Sequence, residues 1–217
     1  MLIKRIVIFA NGDLPDLEKA RAILNSDDFI VAADGGTRHA LALGRTPHVV
    51  IGDLDSIMKE TQQKMEQDGV EIIQFPRNKN ETDLELAIKH AIHLNPAQII
   101  IVAALGNRLD QTLGNISLMT DPQLSGFDIR LDDGADEVFF CRDRVKVQGR
   151  SGDIVSLIPW QGDVTGVVTS GFEWPLHGET LYSNKTRGIS NEMIIETASI
   201  QVGSGSLLVI HTRAARK

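Results

Sequence analysis

Residues 29–56 read FIVAADGGTRHALALGRTPHVVIGDLDS. Two apolar runs in this stretch, Phe29–Ala33 and Val49–Ile51, have the length of a buried strand and are rich in the Ile and Val that parallel sheets require. The first run ends in Asp34-Gly35-Gly36 and the second in Gly52-Asp53-Leu54-Asp55-Ser56. Because ligands of open α/β sheets bind beyond the carboxyl ends of the strands, the stretch predicts a parallel sheet with an acidic site at its edge.

The sequence on both sides of this stretch continues the same pattern. Further strand-like runs are Ile6–Ala10, Val70–Phe75 and Ile99–Ala104. Helical spacing lies between them, most clearly in the apolar series Leu84, Ala87, Ile88, Ala91 and Ile92. Strands and helices alternate in this way in doubly wound α/β domains. We therefore predict an α/β domain with a mostly parallel sheet over residues 1–128.

The pattern changes after Gly126. Short β-type segments separated by glycine turns follow, at Val138–Phe140, Val145–Val147, Ile154–Ile158, Val164–Thr169, Met193–Ile195 and Leu207–Ile210. No helical period of useful length remains. We predict an all-β sandwich or barrel over residues 129–217.

Composition narrows the possible partners. The net charge is −7, and the longest basic run is the short tail Arg213–Lys217, so nucleic acid is not expected as a partner. No apolar stretch approaches the roughly 20 residues of a membrane span. The single cysteine, Cys141, excludes an intramolecular disulfide. A cytoplasmic protein without a membrane segment is the expectation.

Every predicted strand of the α/β domain is followed by polar residues. Besides the two loops quoted above, these are Asn11-Gly12-Asp13, Arg77, Lys79, Glu81-Thr82-Asp83 and Gly106–Asp110. Carboxylates that converge at one edge repel one another unless a cation lies between them, and carboxylates with substrate phosphates are the ligands that Mg²⁺ prefers. Asp53 and Asp55 alternate along an extended segment and would therefore point the same way. Lys79 and Arg108 would neutralise phosphate oxygens. A Walker-type phosphate loop is not present in the sequence.

Each of these motifs also has a purely structural interpretation. Asp34-Gly35-Gly36 is a possible turn, and Asp53 and Asp55 are possible caps of a helix beginning near Ser56. Thr82 with Glu85 fits a capping box, which leaves Asp83 unexplained. Arg108 and Asp110 would form a surface pair before a helix from Gln111 to Met119.

The order and spacing of the motifs resemble the thiamine diphosphokinase family. The matching elements are Ala33–Gly36, Gly52–Ser56, Lys79–Asp83 with Glu85, Arg108–Gln111 with Leu113–Asn115, Thr169–Leu176 and Gly188–Glu192. The resemblance spans about residues 6 to 210. It implies transfer of a diphosphate group from ATP to the hydroxyl of thiamine, giving thiamine diphosphate and AMP. It also implies a homodimer with active sites at the subunit interface.

The resemblance further implies a role for individual residues. Mg²⁺ would be held by Asp53, Asp55 and Asp83, which would act in catalysis together with Arg108 and Asp110. ATP would contact Asp34, Gly35, Gly36, Lys79, Thr82, Arg108, Asp110 and Gln111. Thiamine would contact Ser190, Asn191 and Trp174. The first domain would thus bind ATP and Mg²⁺, and the second would bind thiamine and form the dimer.

Two positions depart from the family pattern. Gln111 stands where histidine is usual, and Asn80 stands where aspartate is common. Both departures are expected to adjust the rate or the metal affinity. The two tryptophans are candidate partners for a cationic heterocycle, although core packing is favoured for Trp160.

Other functions stay open at the sequence level. A phosphatase of the haloacid dehalogenase type would use Asp53 as a covalent nucleophile. A non-catalytic protein that binds nucleotide or thiamine would need none of the clustered acids. A diphosphokinase acting on another hydroxymethyl heterocycle, such as a pterin, would share the same donor site.

Overall fold

The computed structural model describes residues 3–106 and 108–214, so Asn107 of the segment Gly106–Asp110 and the last residues of the basic tail lie outside the described residues. The chain forms two compact units, of which the first ends at Gly134 and the second begins at Ala135. The division lies six residues beyond the predicted boundary at 128. The reason is a sixth parallel strand, Asp128–Asp132, which pairs with Gln98–Val102 and belongs to the first unit.

The first unit contains six parallel strands, five α-helices and two short 3₁₀ helices, Asp34–Gly36 and Pro122–Leu124, among the described residues. The strands are β1 (Arg5–Phe9), β2 (Phe29–Ala33), β3 (Val49–Gly52), β4 (Glu71–Gln74), β5 (Gln98–Val102) and β6 (Asp128–Asp132), and the helices are α1 (Leu17–Ala22), α2 (Thr37–Ala42), α3 (Lys59–Gln67), α4 (Asp83–His93) and α5 (Leu109–Leu118). The strand order is β6-β5-β1-β2-β3-β4. All these pairings are parallel, which confirms the predicted α/β domain.

The central strands are apolar because both faces of the sheet are covered. Ile6, Val7, Ile8 and Phe9 of β1 are all fully buried. Val7 and Phe9 share a core cluster with apolar residues of α1 and α2, and α4 packs on β1, β2 and β3. The strand has no solvent face, so its sequence shows no polar alternation.

The helix ends test two of the structural interpretations, the Thr82 cap and the capping role of Asp53 and Asp55. Thr82 is the N-cap of α4, and its Oγ1 accepts a hydrogen bond of 3.2 Å from the Glu85 N–H, as the capping-box interpretation requires. Helix α3 begins only at Lys59, and no side chain of the described residues caps it at Met58. The interpretation of Asp53 and Asp55 as caps of a helix near Ser56 is therefore wrong.

The second unit is a pair of antiparallel sheets, which confirms the predicted β domain. Its strands are β7 (Asp136–Cys141), β8 (Arg144–Gln148), β9 (Ile154–Pro159), β10 (Val164–Ser170), β11 (His177–Leu181), β12 (Asn191–Glu192), β13 (Thr197–Gln201) and β14 (Leu207–Thr212). Within this unit, β12-β9-β14-β7 form one sheet and β11-β10-β13-β8 the other. Apolar side chains from both sheets form one core.

One predicted strand of the second unit is misplaced. The sequence predicts Met193–Ile195, but the strand is Asn191–Glu192. Met193 is buried and forms an isolated bridge with Phe172, whereas Ile194 and Ile195 are about half exposed.

No helix among residues 3–106 and 108–214 combines the length and the apolar character needed to cross a membrane.

A fully buried histidine connects three strands of the first of these sheets. His211 of β14 lies opposite Glu137 of β7, and its Nδ1 is 3.3 Å from Glu137 Oε2. Its Nε2 is 2.9 Å from Oδ2 of Asp153, which immediately precedes β9. Arg213 lies 3.7 Å from Glu137, and Arg150 lies 3.5 Å from Asp153. Burial alone would lower the pKa of His211, but the hydrogen bonds to Glu137 and Asp153 outweigh burial and raise the pKa above its ordinary value.

This arrangement predicts a stability that falls at alkaline pH. A histidine whose pKa is higher in the folded state stabilises the fold fully below its unfolded pKa, near 6.5, and this contribution is lost as the pH rises through the folded pKa. We expect the thermal midpoint to fall from pH 6 to pH 9, and His211→Gln to flatten that dependence. Thermal unfolding of both proteins across this range tests the expectation. A variant that keeps the full slope would exclude His211 as its origin.

Candidate active site

A cavity opens at the point where the chain order of the sheet reverses. Strand β1 has β2 on one side and β5 on the other, so the strand order reverses at β1, and open α/β sheets bind ligands at such a point. The cavity measures about 350 Å³. Its walls are Ala10–Asp13 after β1, Ala103–Gly106 after β5, Thr82–Leu84 at the start of α4, and Arg108, Gln111, Thr112 and Asn115 from the region of α5.

Backbone hydrogen bonds hold the two loops of this cavity together. The Gly12 N–H donates to the Ala103 carbonyl at 2.9 Å, and a Cβ at Gly12 would lie 2.4 Å from that same oxygen. Asn115 Nδ2 donates to the Ala104 carbonyl at 2.8 Å. Burial lowers the pKa of His39, so a neutral ring donates from Nε2 to the Gly12 carbonyl at 2.8 Å. These bonds hold the loops after β1 and β5 against each other and against α5.

Three carboxylates meet beside this cavity. Asp34 follows β2 at a positive φ of 43°, Asp53 follows β3, and Asp83 is the first residue of α4. One oxygen from each of the three lies within 4.8 Å of the others. The sequence prediction of converging acids at the carboxyl edge of the sheet holds for this set. We call Asp34, Asp53 and Asp83 the acidic cluster.

Two buried carboxylate oxygens of the acidic cluster accept no hydrogen bond from the described residues. Among the described residues, Oδ1 of Asp34 and Oδ1 of Asp83 are buried and accept no hydrogen bond. Lys79 Nζ lies 3.0 Å from Asp83 Oδ1, but the angles of this ion pair are not those of a hydrogen bond. Buried carboxylate oxygens without donors are costly unless a cation neutralises them. Three carboxylates facing one lysine form a set of hard oxygen donors that fits Mg²⁺.

The protonation of Asp83 reflects this crowding. Burial raises the pKa of Asp83, the Lys79 ammonium lowers it, and the charges of Asp34 and Asp53 raise it, so that the pKa ends above its ordinary value. The protein groups around Asp83 thus disfavour its negative charge beside those of Asp34 and Asp53. A divalent cation would reverse this balance.

Asp55, which was predicted to bind Mg²⁺ together with Asp53 and Asp83, lies outside the acidic cluster. Its Oδ1 accepts a hydrogen bond from Ser56 Oγ at 3.2 Å, and its Oδ2 lies 3.6 Å from Arg77 Nε. The prediction assumed an extended segment, but Leu54 adopts a φ of +64°. This left-handed residue breaks the alternation, so Asp53 and Asp55 do not share a direction.

Of the remaining residues predicted to bind ATP, some line the cavity and others pack beneath it. Thr82, Arg108 and Gln111 line the cavity. Arg108 and Asp110 are exposed and form an ion pair, with Nε 3.2 Å from Oδ1, as the surface-pair interpretation expects. The hydrogen bond from Arg108 lowers the pKa of Asp110, which makes this carboxylate a poor proton acceptor.

Gly35 and Gly36 are required by packing beneath the site. A Cβ at Gly36 would lie 2.0 Å from the Phe9 carbonyl oxygen, and one at Gly35 would lie 2.4 Å from the Asn11 side chain. The two glycines let the turn after β2 press against β1. This close approach places Asp34 and Asn11 on neighbouring strand ends.

The prediction of site residues did not include four polar side chains of the cavity wall. These are Asn11, Asp13, Thr112 and Asn115. Asn115 lies four residues after Gln111 on α5, and residues spaced by four share a helix face. That spacing was available in the sequence, because both residues lie within the helix predicted from Gln111 to Met119; the observed helix begins two residues earlier, at Leu109.

The residues predicted to bind thiamine lie together in the second unit. A cavity of about 470 Å³ is lined by Leu157, Glu173–His177 and Arg187–Asn191, which include Trp174, Ser190 and Asn191. Trp174 is 61% exposed. Trp160, by contrast, packs edge-on against Phe140 at 5.7 Å, in line with the packing interpretation.

Comparison with known proteins finds one family in both halves of the chain. Residues 20–131 match the family model described as thiamin pyrophosphokinase, catalytic domain, and residues 143–207 match the model described as thiamin pyrophosphokinase, vitamin B1 binding domain. The chain is 28% identical to a thiamine pyrophosphokinase of Bacillus subtilis over 215 residues, which cover 97% of this chain and 99% of that protein.

Solved structures give the same result. The crystal structure of thiamine pyrophosphokinase from Bacillus subtilis superposes with a TM-score of 0.87 at 26% identity, covering 98% of this chain and 100% of that one. The crystal structure of yeast thiamin pyrophosphokinase, at 16% identity, has a TM-score of 0.73 over 96% of this chain and 86% of that one, a similarity of fold.

Proposed function

The chain belongs to the thiamin pyrophosphokinase family, from which we infer that it is an ATP-dependent transferase acting on thiamine. It moves a diphosphate group from ATP to the thiamine hydroxyl and releases AMP. The observation that carries this conclusion is the acidic cluster, in which the buried Oδ1 atoms of Asp34 and Asp83 accept no hydrogen bond from the described residues, beside a cavity at the switch point of the sheet. A haloacid dehalogenase phosphatase and a non-catalytic binder have no comparable support.

We propose that Mg²⁺ is held by Asp34, Asp53 and Asp83. When bound, the ion would neutralise phosphate oxygens of ATP and the charge that develops on them during transfer. Asp55 lies outside the acidic cluster and would contribute through a water or a second ion. Lys79 keeps its ammonium at the acidic cluster, where it is 12% exposed and can bind a phosphate oxygen as a point charge.

The other residues of the first cavity bind and orient ATP in this proposal. Arg108 is 70% exposed at the cavity mouth, so its guanidinium is free to move from Asp110 to a phosphate. Gln111, Thr112 and Asn115 offer hydrogen bonds along one wall. Positioning and charge neutralisation supply most of the acceleration in phosphoryl transfer, so these contacts are the main contribution of the protein.

Thiamine carries a permanent positive charge, and the second cavity has features that suit it. An exposed indole at Trp174 presents a face that attracts cations. Glu173 adds a carboxylate to the same wall. Ser190 stands at a positive φ of 59°, with its N–H held by Ser156 Oγ at 3.0 Å. These observations support a thiamine site here.

A homodimer and a cytoplasmic location are further parts of the proposal. Val168, Ile194 and Ile195 of the second unit are exposed apolar side chains, which supports burial against another subunit. Cys141 is a buried free thiol, which fits a reducing compartment. Light scattering on the purified protein would test the dimer directly.

The decisive experiment mixes the protein with ATP, Mg²⁺ and thiamine and separates the products. We expect AMP and thiamine diphosphate in equal amounts, and no reaction when EDTA replaces Mg²⁺. ADP in place of AMP would contradict diphosphate transfer. Phosphate release with a phosphorylated Asp53 would favour the phosphatase, and binding without products would favour a sensor. A hydroxymethyl pterin offered in place of thiamine tests the choice of acceptor.

A further inference from the structure

The side chain of Asn191 is occupied by the backbone of its own unit. Its Nδ2 donates to the Trp174 carbonyl at 2.7 Å, and its Oδ1 accepts from the Trp174 N–H at 3.1 Å. The same Oδ1 accepts from the Glu192 N–H at 3.0 Å. Both acceptor positions of the amide oxygen and one of the two amide hydrogens are therefore already used. Little capacity remains for a substrate.

These bonds fix the backbone of Trp174. Other hydrogen bonds hold the chain before and after this residue. On one side, the Glu173 N–H donates to the Glu192 carbonyl at 2.9 Å. On the other side, the Leu176 N–H donates to Thr169 Oγ1 at 2.8 Å. The next residue, Pro175, has no N–H to contribute. Asn191 therefore supplies the hydrogen bonds that fix the peptide groups on both sides of the Trp174 Cα.

The fixed backbone matters because the indole itself is exposed. Trp174 stands at the wall of the second cavity with 61% of its surface accessible, so the position of the ring follows from its backbone more than from close packing. A cation is attracted only when it lies over the ring face. If the Trp174 ring turned away from the cavity, it would no longer attract a cation bound there.

We propose that Asn191 is a positioning residue that holds the Trp174 indole toward the cavity, and that it does not bind the substrate itself. This inference rests on the proposed function, because the cationic substrate of the cavity is taken from it. It changes the predicted role of Asn191 from a thiamine contact to a support for one. The contact with thiamine is made by Trp174.

A double-mutant cycle separates the two roles. Asn191→Ala and Trp174→Ala are each expected to raise the thiamine KM by about 3- to 30-fold, the range of a cation–π contact, with little change in the KM for ATP. If Asn191 acts through Trp174, the double variant matches Trp174→Ala alone. Losses that multiply would overturn the proposal and make Asn191 a direct ligand. Asn184→Ala, at an exposed asparagine of the same unit, is the matched control and should not change either KM.

A second measurement needs no substrate and so remains decisive if the proposed function fails. The chain has two tryptophans, so Trp160→Phe leaves Trp174 as the only indole reporter. In that background, Asn191→Ala should lower the fluorescence anisotropy of Trp174 and increase its quenching by acrylamide. Asn191→Asp keeps the two accepted hydrogen bonds and should lie between. Unchanged anisotropy in Asn191→Ala would overturn the positioning role whatever the enzyme's acceptor proves to be.

Discussion

Replacing Asp83 by asparagine is expected to reduce turnover by about 10²- to 10³-fold while leaving the protein folded. Preorganised charges around a reacting phosphate each contribute about 10²–10³ or more to the rate, and Asp83 also belongs to the acidic cluster proposed to hold the metal. Asparagine keeps the size of the side chain and removes the charge. Steady-state AMP release over a range of Mg²⁺ concentrations measures both the rate and the metal requirement.

The same substitution separates a catalytic role from a structural one through its effect on stability. Because the pKa of Asp83 is raised in the folded protein, its ionised form costs folding free energy at neutral pH. Asp83→Asn should therefore leave the thermal midpoint of the metal-free protein unchanged or higher. The rise in midpoint that Mg²⁺ and ATP give to the wild type should disappear.

The control for this experiment is Asp68→Asn. Asp68 is an exposed acid at the C-cap of α3, so the same chemical change there should alter neither turnover nor the response to Mg²⁺. A metal response that survives in Asp83→Asn would exclude Asp83 as a ligand. A large fall in the metal-free midpoint would show that Asp83 is chiefly structural.

The first unit was predictable because its sheet is covered on both faces. Short continuous apolar runs rich in Ile and Val, such as Phe29–Ala33, are typical of buried strands, and the observed β2 has these same bounds. Strands with one polar face are harder to recognise in a single sequence. β13 (Thr197–Gln201) was missed because its buried Ala198 and Ile200 alternate with polar residues, and β11 (His177–Leu181) because Leu181 is its only buried residue.

The acidic cluster was predictable for a related reason. Asp34 and Asp53 end adjacent parallel strands, and Asp83 begins the helix that packs on those strands, so topology alone brings them together. The direction of a side chain within a loop has no such signature. The sequence does not predict the left-handed conformation of Leu54, which most residues avoid, so Asp55 was expected in the same group as Asp53. Its role as a ligand of Mg²⁺ stays a prediction.

The relation between Trp174 and Asn191 depends on a pairing across 17 residues. A short strand at Asn191–Glu192 and the isolated bridge between Phe172 and Met193 create it. The sequence predicted a strand at Met193–Ile195, two residues later. With the strand predicted two residues too late, the site residues can still be recognised from the sequence. The hydrogen bonds from Asn191 to the Trp174 backbone cannot.

Gly52 links the sheet to the acidic cluster, and Gly52→Ala is expected to damage both stability and catalysis. Gly52 has a φ of +155°, and a Cβ there would lie 2.8 Å from Asp34 Cβ and 3.2 Å from Asp83 Oδ1. Strained backbone of this kind costs about 1–3 kcal/mol, which we expect as the loss in free energy of unfolding. Moving a reactive group by about 1 Å costs about 10²-fold in rate, so turnover should fall by that order.

The matched control for Gly52→Ala is the same substitution at Gly114. Gly114 is exposed within α5, and no atom in the described part of the chain lies within 4 Å of a Cβ placed there. Gly114→Ala should raise the free energy of unfolding by about 0.5–1 kcal/mol, because alanine favours the helix, and should leave turnover unchanged. Urea unfolding and AMP release on both variants give the comparison. If Gly52→Ala behaved like Gly114→Ala, the close approach of Asp34 and Asp83 would not depend on the missing side chain, and the acidic cluster would have to be held together by the metal itself.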